Sequence, residues 1–593
     1  MARRALVLFL RVSDIGKRKF RLVAPALLLS SLLFEAVPAF PGHGLLQGLL
    51  SLAIPVLYLG EDLEKAWRSP SVVRHLRQRW LDLLVLGIVT LFGLERASLL
   101  LQPGAFGAPG ALHNLALYTT VFYTAALLKL VTRARRAVDF LAQLDLRPSQ
   151  TIVASFLGAI LVGSLLLTLP QATVAGVGTP FVDALFMATS AVCVTGLVVL
   201  DIGTQYTLFG QLVILSLIQA GGLGIMTFAA LTTAFAGRRL RIRDQVALQG
   251  TLDAEAIGNI RQTIRAIFVS TFLLEALGSL ALFIRWRPET PDPWEAAYWA
   301  AFHAISAFSN AGFSLFADSL VRYASDPAVV VTVTSLIILG GLGFPLLANL
   351  TDVVRKTPVF RLQAPIRRGL GRLTLHSKAA LAVTGLLLLG TTGLLLVLEW
   401  GNTLAGRPLP EKILIAYFQA VTPRTAGFNT VPIASLAPAG LFLLMLLMFI
   451  GGCPGSTAGG IKTTTVGVTV ATLRAFLRNR ERVELFERTI PQSLVNKATA
   501  LTLVALGALA LAIFGLTLTE SGPFISLAFE AVSAFGTVGL SMGITPSLSD
   551  AGKLIVTATM FVGRVGPLTL VLAMAERPAP AQVTYPTDRV MVG

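Results

Sequence analysis

The sequence predicts an all-α protein that crosses a membrane many times. It is 54% hydrophobic and only 13% charged, about half the charged share of roughly 25% that is typical of soluble domains. Apolar runs of about 20 residues recur along the chain, and a run of that length spans a hydrocarbon core of about 30 Å. A short glycine-containing segment also returns four times at a nearly constant interval, which predicts one unit copied four times.

The first 147 residues predict an accessory block of about four membrane helices. Its apolar runs lie at about Leu22–Ala39, Gly44–Leu59, Leu81–Leu94 and Leu112–Val131. Basic residues precede the first run and follow the second and the fourth, so the block should begin and end in the cytoplasm, with a cytoplasmic N-terminus. The N-terminal segment lacks a convincing apolar core and cleavage site, and we expect no cleaved signal peptide.

The fourfold repeat follows this block. Each unit reads as a first long helix, a short helix, a glycine-containing segment and a second long helix. The units are predicted at residues 148–237, 262–352, 377–473 and 494–576, and a tail of residues 577–593 follows them. The short helices are expected at Phe181–Val192, Trp294–Phe308, Ile413–Val421 and Pro523–Phe535. The second long helices are expected at Leu208–Phe235, Ala328–Leu350, Leu441 to about Val470 and Leu554–Ala573. Together these elements predict a polytopic membrane protein with four pseudo-symmetric helix–pore helix–helix repeats around one central ion pore.

The positive charge of the chain indicates sidedness rather than binding of nucleic acid. The net charge is +17, but the basic residues lie in short segments between apolar runs, above all in 237–265, 354–378 and 474–497. Such segments stay in the cytoplasm, which predicts a multi-pass protein of the cell (inner) membrane whose partner is the lipid bilayer. The chain has only two cysteines, so no disulfide framework is expected.

The repeated segments, which we call the glycine stretches, predict an ion selectivity filter. They read Val192–Leu197, Ser309–Phe313, Arg424–Phe428 and Gly536–Leu540, and their glycines stand at positions 196, 312, 427 and 539, at intervals of 116, 115 and 112 residues. Backbone carbonyls can replace the water around a cation only if the chain turns them inward, which glycine allows because it adopts φ > 0 without strain. The candidate residues are Val194, Thr195, Gly196, Asn310, Ala311, Gly312, Thr425, Ala426, Gly427, Thr537, Val538 and Gly539.

The short helices favour a cation over an anion. Each runs into its glycine stretch, so that its C-terminal end, which carries roughly half a negative charge, points at the ion. One of them contains Glu530, to which the sequence assigns no role.

A second glycine motif lies inside the last helix of each unit. In the first two units, at Gly221–Gly224 and Gly340–Gly343, close packing of helices is a sufficient explanation. The third unit carries Gly451, Gly452, Cys453, Pro454, Gly455, Ser456, Thr457, Ala458, Gly459 and Gly460, followed by Lys462. Proline and five glycines break a helix, so residues 451–460 are predicted to form a loop in the pore below the filter.

Arg564 replaces a glycine of the second motif in the fourth unit. An arginine within a spanning helix is costly and is a candidate functional residue. We expect Arg564 to cap carbonyls or hydroxyls of loop 451–460, either as part of a gate or as a static cap without a switching role.

These motifs resemble the Trk/Ktr/HKT superfamily of potassium transporters, in particular the bacterial Trk/Ktr pore-forming subunits. The resemblance covers about Pro148 to Ala575 and rests on Ala191–Leu197, Pro423–Phe428, Gly455–Lys462 and Phe561–Arg564. It implies K+ as the transported ion, an intramembrane loop as gate, a homodimer, and a cytosolic ring of nucleotide-binding regulatory subunits (of ATP/ADP or NAD type). Some plant relatives that transport Na+ carry serine at the first filter glycine, and here Gly196 favours K+. The four extra N-terminal helices depart from the family pattern.

Two other classes compete with a K+ channel or uptake transporter. A symporter that moves Na+ or H+ together with K+ would want intramembrane carboxylates, for which Glu275 and Glu399 are the candidates. An enzyme is not expected, because the five histidines are scattered and form no cluster with carboxylates; no organic cofactor and no nucleic acid partner are expected either.

Overall fold

The computed structural model describes residues 148–224, 260–356 and 373–566, together with a few single helical positions outside these ranges. The predicted N-terminal block (1–147) lies almost entirely outside the described residues, as do the tail 577–593 and most of the basic segments 237–265 and 354–378.

The described residues form four successive helical units, each with the predicted order of elements. The first helices are α1 (Pro148–Leu167), α5 (Ile260–Trp286), α9 (Leu375–Leu398) and α13 (Gln492–Thr519). The short helices are α2 (Phe181–Val192), α6 (Pro293–Phe308), α10 (Leu409–Val421) and α14 (Phe524–Gly536). The second helices are α4 (Leu208–Gly222), α7 (Pro327–Leu342) continued by α8 (Phe344–Lys356), α11 (Pro438–Phe449) continued by α12 (Thr463–Leu477), and α15 (Asp550–Val565); a single turn, α3 (Ile202–Gln205), precedes α4.

The first helix of every unit is long and apolar enough to cross a membrane. The helical segments Ser149–Leu167, Arg265–Glu289, Leu375–Leu398 and Gln492–Thr519 have mean hydropathies of 2.0 to 2.4. Within the described part of the chain these are the four candidate spans, or five if the bent pair α7–α8 is counted as one. Their outer faces carry exposed leucines and phenylalanines such as Leu389 and Phe514, as lipid-facing surfaces do. The predicted all-α polytopic architecture is confirmed.

The second helices differ from the continuous runs that the sequence predicts. In the second unit the run Ala328–Leu350 is broken at Gly343, where φ is +83° and the chain bends by 98° between α7 and α8. The first unit's helix ends at Gly222 and Gly224 has φ +77°, while the fourth ends at Val565 and Gly566 has φ +88°. Helix packing alone was therefore an incomplete explanation of the second motif, because glycines at these sites also end the helix.

The first glycines of the second motif do serve close packing. A Cβ at Gly221, Gly340 or Gly563 would collide with the carbonyl oxygen of Val192, Phe308 or Phe535, respectively. These three carbonyls all lie four residues before a glycine of the glycine stretches. In the first, second and fourth units the second helix thus packs tightly against the C-terminal end of the short helix of its own unit.

The units pack in a closed ring. The second helix of each unit contacts the short helix of the next: α4 with α6, α7 with α10, α11 with α14, and α15 with α2. Polar contacts mark two of these junctions, since Tyr298 Oη donates to Gln211 Oε1 at 2.8 Å and Lys553 Nζ to Asp183 Oδ1 at 2.6 Å. The second of these pairs joins the last unit to the first.

A phenylalanine in each short helix anchors it in the core. Phe186, Phe302, Phe418 and Phe529 are all fully buried and stand nine or ten residues before their glycines. A small antiparallel hairpin, β1 (Glu484–Leu485) with β2 (Arg488–Thr489), lies in the basic segment between the third and fourth units, where the sequence predicted only a loop.

Candidate functional site

The four glycine stretches share one backbone conformation. Each glycine has a positive φ: Gly196 +93°, Gly312 +70°, Gly427 +78° and Gly539 +94°. The residue two positions earlier also has a positive φ in every unit, namely 56° at Val194, 58° at Asn310, 66° at Thr425 and 50° at Thr537. Non-glycine residues adopt such values at a cost and keep them only where the surrounding structure demands it. Where residues with positive φ alternate with residues with negative φ, successive carbonyls point toward the same side of the chain.

The four stretches meet around one point. A Cβ at Gly312 would lie 2.9 Å from the carbonyl oxygen of Ala426 and 2.9 Å from Gly427 Cα. A Cβ at Gly196 would collide with the carbonyl of Ala311, one at Gly427 with that of Val538, and one at Gly539 with that of Thr195. Each glycine therefore touches the stretch of the next unit, and the fourth touches the first, so that the contacts close a ring.

Hydroxyl side chains at the ends of the short helices hold the stretches in place. The hydroxyls of Ser190 and Ser533 each accept from the amide of their unit's glycine at 3.1 Å. Ser306 donates to the carbonyl of Phe313 at 2.8 Å, and Thr422 donates to that of Phe428. The sequence reasoning missed these residues, although three of them are serines six positions before the glycine.

A second set of side chains supports three of the four stretches. Nine residues before the glycine, His303 lies 3.0 Å from Ser314 Oγ, and Glu530 accepts from Ser541 at 2.8 Å. In the third unit Gln419 Nε2 donates to Thr430 Oγ1 at 3.2 Å. These partners all lie two or three residues after the glycine, where the first unit has an apolar pair, Met187 and Val198.

Glu530 is the charged member of this set. It is fully buried in α14 and also accepts from Thr545 Oγ1 at 2.5 Å. Its partner Ser541 lines a cavity of about 250 Å³ between the segments that follow Gly427 and Gly539. Glu530 thus fixes one wall of this cavity, which is a role that the sequence did not reveal.

Loop 451–460 separates α11 from α12 and contacts the second and fourth units. Cys453 N donates to the carbonyl of Gly341 at 2.9 Å, and Thr457 Oγ1 donates to that of Phe308 at 3.4 Å, so the loop is bound to the second unit. A Cβ at Gly459 would collide with the side chain of Thr537 in the fourth glycine stretch. The loop therefore lies directly against the ring of glycine stretches.

Arg564 joins this loop to the first unit. Its guanidinium donates to the carbonyl of Thr457 and, at 2.5 Å, to that of Gly221. Lys462 closes the loop on itself, since its ammonium donates to the carbonyl of Ala458 at 2.5 Å.

The two carboxylates considered for symport have different surroundings. Glu399 accepts from Ala437 N, Asn402 Nδ2 and Thr403 Oγ1 at 2.9, 2.8 and 3.0 Å, and so caps the N-terminus of α11. Glu275 is buried between α5 and α4 and accepts from Gln219 Nε2 at 3.1 and 3.3 Å. Among the described residues, no group of three or more His, Cys, Asp or Glu side chains could hold a metal ion.

Comparisons with known proteins decide the family. The sequence profile of the TrkH family, described as cation transport protein, matches residues 118–585. The Ktr system potassium uptake protein B of Bacillus subtilis is 41% identical over 451 residues, which are 75% of this chain and 97% of that protein. The chain belongs to the TrkH family. This is a family of membrane transport proteins and not of enzymes, as the sequence led us to expect.

Other relatives and a solved structure agree with this assignment. The TrkH-family chain is 41% identical over 445 residues to the Ktr system potassium uptake protein B of Vibrio alginolyticus, covering 74% of this chain and 94% of that protein. It is 40% identical over 456 residues to the potassium/sodium uptake protein NtpJ of Enterococcus hirae, covering 76% and 98%. The crystal structure of the potassium transporter TrkH from Vibrio parahaemolyticus shares the fold with a TM-score of 0.57 at 19% identity, over 84% of this chain and 98% of that one.

Replacement of Glu530 tests its bracing role. Glu530→Ala leaves the hydroxyls of Ser541 and Thr545 without an acceptor, which should cost about 1–3 kcal/mol and lower the apparent Tm of the purified protein. Glu530→Gln keeps a carbonyl oxygen in place and should retain most of the stability. Glu481→Ala, at an exposed site, is the matched control. Equal melting temperatures for Glu530→Ala and this control would contradict the role.

Proposed function

We propose that this protein takes up potassium across the cell membrane through a pore whose selectivity filter is the ring of glycine stretches. The ring itself carries this proposal: four stretches with equivalent left-handed residues meet around one point, which is the geometry that an enclosing set of carbonyls requires. The ion-binding oxygens are the carbonyls of Val194 and Thr195 and of the equivalent residues in the other three units.

The electrostatics of the ring support a cation. The four short helices end at or just before the glycine stretches, so their negative C-terminal ends point at the ring. Several relatives with about 40% identity are named as potassium uptake proteins, and this supports K+ as the ion.

Loop 451–460 acts as the gate in this proposal. It lies against Thr537 of the ring, and its backbone is bound by the guanidinium of Arg564. A glycine-rich segment has few side chains that could pack against its surroundings. These few hydrogen bonds therefore determine how readily loop 451–460 is displaced. Lys462 and Arg564 add positive charge near the path and oppose the passage of a cation while the loop is seated.

Coupled transport is the second candidate function. The relative NtpJ is named a potassium/sodium uptake protein, and Glu275 is a buried carboxylate that no cationic side chain neutralises among the described residues. A symporter would use Glu275 to bind Na+ or H+. Uptake of K+ that depends on external Na+ or on a proton gradient would favour this alternative.

Partners and location complete the proposal. The relatives belong to a "Ktr system", a name that implies further subunits. We propose that the chain forms a homodimer in the inner membrane, with a cytoplasmic N-terminus, and that a ring of cytosolic nucleotide-binding subunits docks on its basic cytoplasmic segments.

Rescue of growth tests the function directly. Expression of the chain in a bacterium that lacks its own K+ uptake systems should restore growth at low external K+, and more strongly when a cytosolic regulatory subunit is co-expressed. Measured ⁸⁶Rb+ or K+ uptake should likewise be highest in cells that co-express the regulatory subunit, lower with the chain alone and lowest without it. Absence of uptake in all combinations, with the protein present in the membrane, would refute the proposal.

Serine at a filter glycine should weaken selectivity. Gly196→Ser and Gly427→Ser place a side chain at φ +93° and +78°, where the Cβ collides with a carbonyl of the next stretch. We expect the K+/Na+ uptake ratio to fall by about tenfold, equivalent to about 1.4 kcal/mol. Gly385→Ser, in α9 with open space around it, is the control. Wild-type ratios in both filter variants would count against the filter.

Weakening of the gate should raise the flux. Removal of Cys453–Ala458 deletes most of the loop, and Arg564→Ala removes the guanidinium that binds it. Both variants should increase the K+ uptake rate several-fold per molecule in the membrane. If neither variant exceeds the wild-type rate, the loop is a static element and not a gate.

A further inference from the structure

Glu275 is a buried carboxylate on the first helix of the second unit, and it is not part of the glycine stretches. Only 4% of it is exposed. Gln219 Nε2 of α4 donates to both of its oxygens, at 3.1 and 3.3 Å, and no cationic side chain of the described residues pairs with it. A carboxylate buried in this way is costly as an anion, and such groups commonly become neutral by taking up a proton.

The amide of Gln219 is only half satisfied by this contact. Its Oε1 is buried and has no hydrogen-bond partner among the described residues. An ionised carboxylate has no hydrogen to offer this oxygen, whereas a protonated one donates its O–H to Oε1 and accepts from Nε2 with its other oxygen. All polar atoms of the contact are therefore paired only when Glu275 carries a proton.

Few other ionisable groups of the described residues face this contact. Neither α4 nor α7, which both contact α5, contains an ionisable side chain. The other ionisable side chains described on α5 and α6 lie at other levels of these helices or are bonded elsewhere: Arg265, Arg285, Glu295, Tyr298 and His303. The charged side chain that binds the last turn of α4 is Arg564. The charge of Glu275 is therefore governed chiefly by its burial and by its contact with Gln219.

The contact lies at the last turn of α4, which also binds the gate. Gln219 stands two residues before Gly221, whose carbonyl accepts from the guanidinium of Arg564 at 2.5 Å. The same guanidinium donates to the carbonyl of Thr457 in loop 451–460. The position of the last turn of α4 therefore determines where Arg564 holds the loop.

We propose that Glu275 is a proton-binding site that regulates the gate. In the acid form two hydrogen bonds join Glu275 to Gln219 and fix the last turn of α4. The carbonyl of Gly221 then keeps Arg564 on the seated loop. Loss of the proton leaves Gln219 Oε1 buried without a partner, which loosens this turn and makes displacement of the loop easier. Potassium uptake is therefore slower at low pH and faster at high pH.

This inference rests on the proposed function, because it concerns the gate of a K+ pathway, but it differs from coupled transport. In a symporter the proton bound at Glu275 crosses the membrane together with K+, and a proton gradient drives the uptake. A regulatory proton stays at its site. Its effect persists when both sides of the membrane have the same pH.

The experiment measures ⁸⁶Rb+ uptake by the full chain in liposomes that have the same buffer on both sides, at about pH 6 and at about pH 8. Uptake by the wild-type chain should be about fivefold faster at the higher pH, which corresponds to about 1 kcal/mol, the size of one additional hydrogen bond. Glu275→Gln keeps both hydrogen bonds with Gln219 at every pH, so its uptake should be slow and independent of pH. Arg564→Ala should be fast and should also lose the dependence, because the link to the loop is missing.

Exchange of the two groups tests the site itself. The double variant Gln219→Glu with Glu275→Gln places the carboxyl group on α4 and the amide on α5. It should regain the pH dependence that Glu275→Gln alone lacks. Glu481→Gln makes the same substitution at an exposed site and is the matched control, which should keep the wild-type profile.

Size-exclusion profiles and melting temperatures identify the variants that fold. Uptake by the wild-type chain that does not change with pH, or a wild-type pH profile in folded Glu275→Gln, would overturn the regulatory site and leave the transport function intact. Absence of ⁸⁶Rb+ uptake by the wild-type chain at both pH values would instead count against the transport function itself.

Discussion

The close approach of four backbones, possible only where no Cβ intervenes, is the constraint on which the rest of the structure depends. The Cα atoms and carbonyls of neighbouring glycine stretches are so near that any side chain at positions 196, 312, 427 or 539 would collide with the next unit. The short helices, the hydroxyls at their ends and the braces behind the stretches all serve to hold this arrangement. Because a ring so tight tolerates little displacement, its supports must be rigid.

The four units are more alike in backbone conformation than in the identity of their side chains. The left-handed residues and the buried phenylalanines recur in every unit. The braces differ, with a histidine in the second unit, a glutamine in the third and a glutamate in the fourth, while the first unit has apolar residues at the corresponding positions. Two arginines of the described residues also have no counterpart in the other units: Arg424, which is buried in the third unit, and Arg564, which is half-buried in the fourth. The backbone of the ring is therefore symmetric, and the departures from symmetry lie in the side chains that support it and in the loop against it.

Periodicity in the sequence predicted much of this fold, because the signals are local. The short helix Phe181–Val192 was predicted to the residue, and the helix break at residues 451–460 followed from its glycines and proline. The bend at Gly343 was missed, since an apolar run with a few glycines reads equally well as one straight helix. The roles of Glu530 and Ser541 depend on which side chains meet in space, and the spacing of residues along the sequence does not contain that information.

The contact between Lys553 of α15 and Asp183 of α2 closes the ring by joining the last unit to the first. Three of its four junctions join units that are consecutive in the chain, whereas this one joins residues 370 positions apart. Closure of the ring therefore requires the fourth unit: without α15 the junction with α2 is missing, and the three remaining glycine stretches would be open on one side.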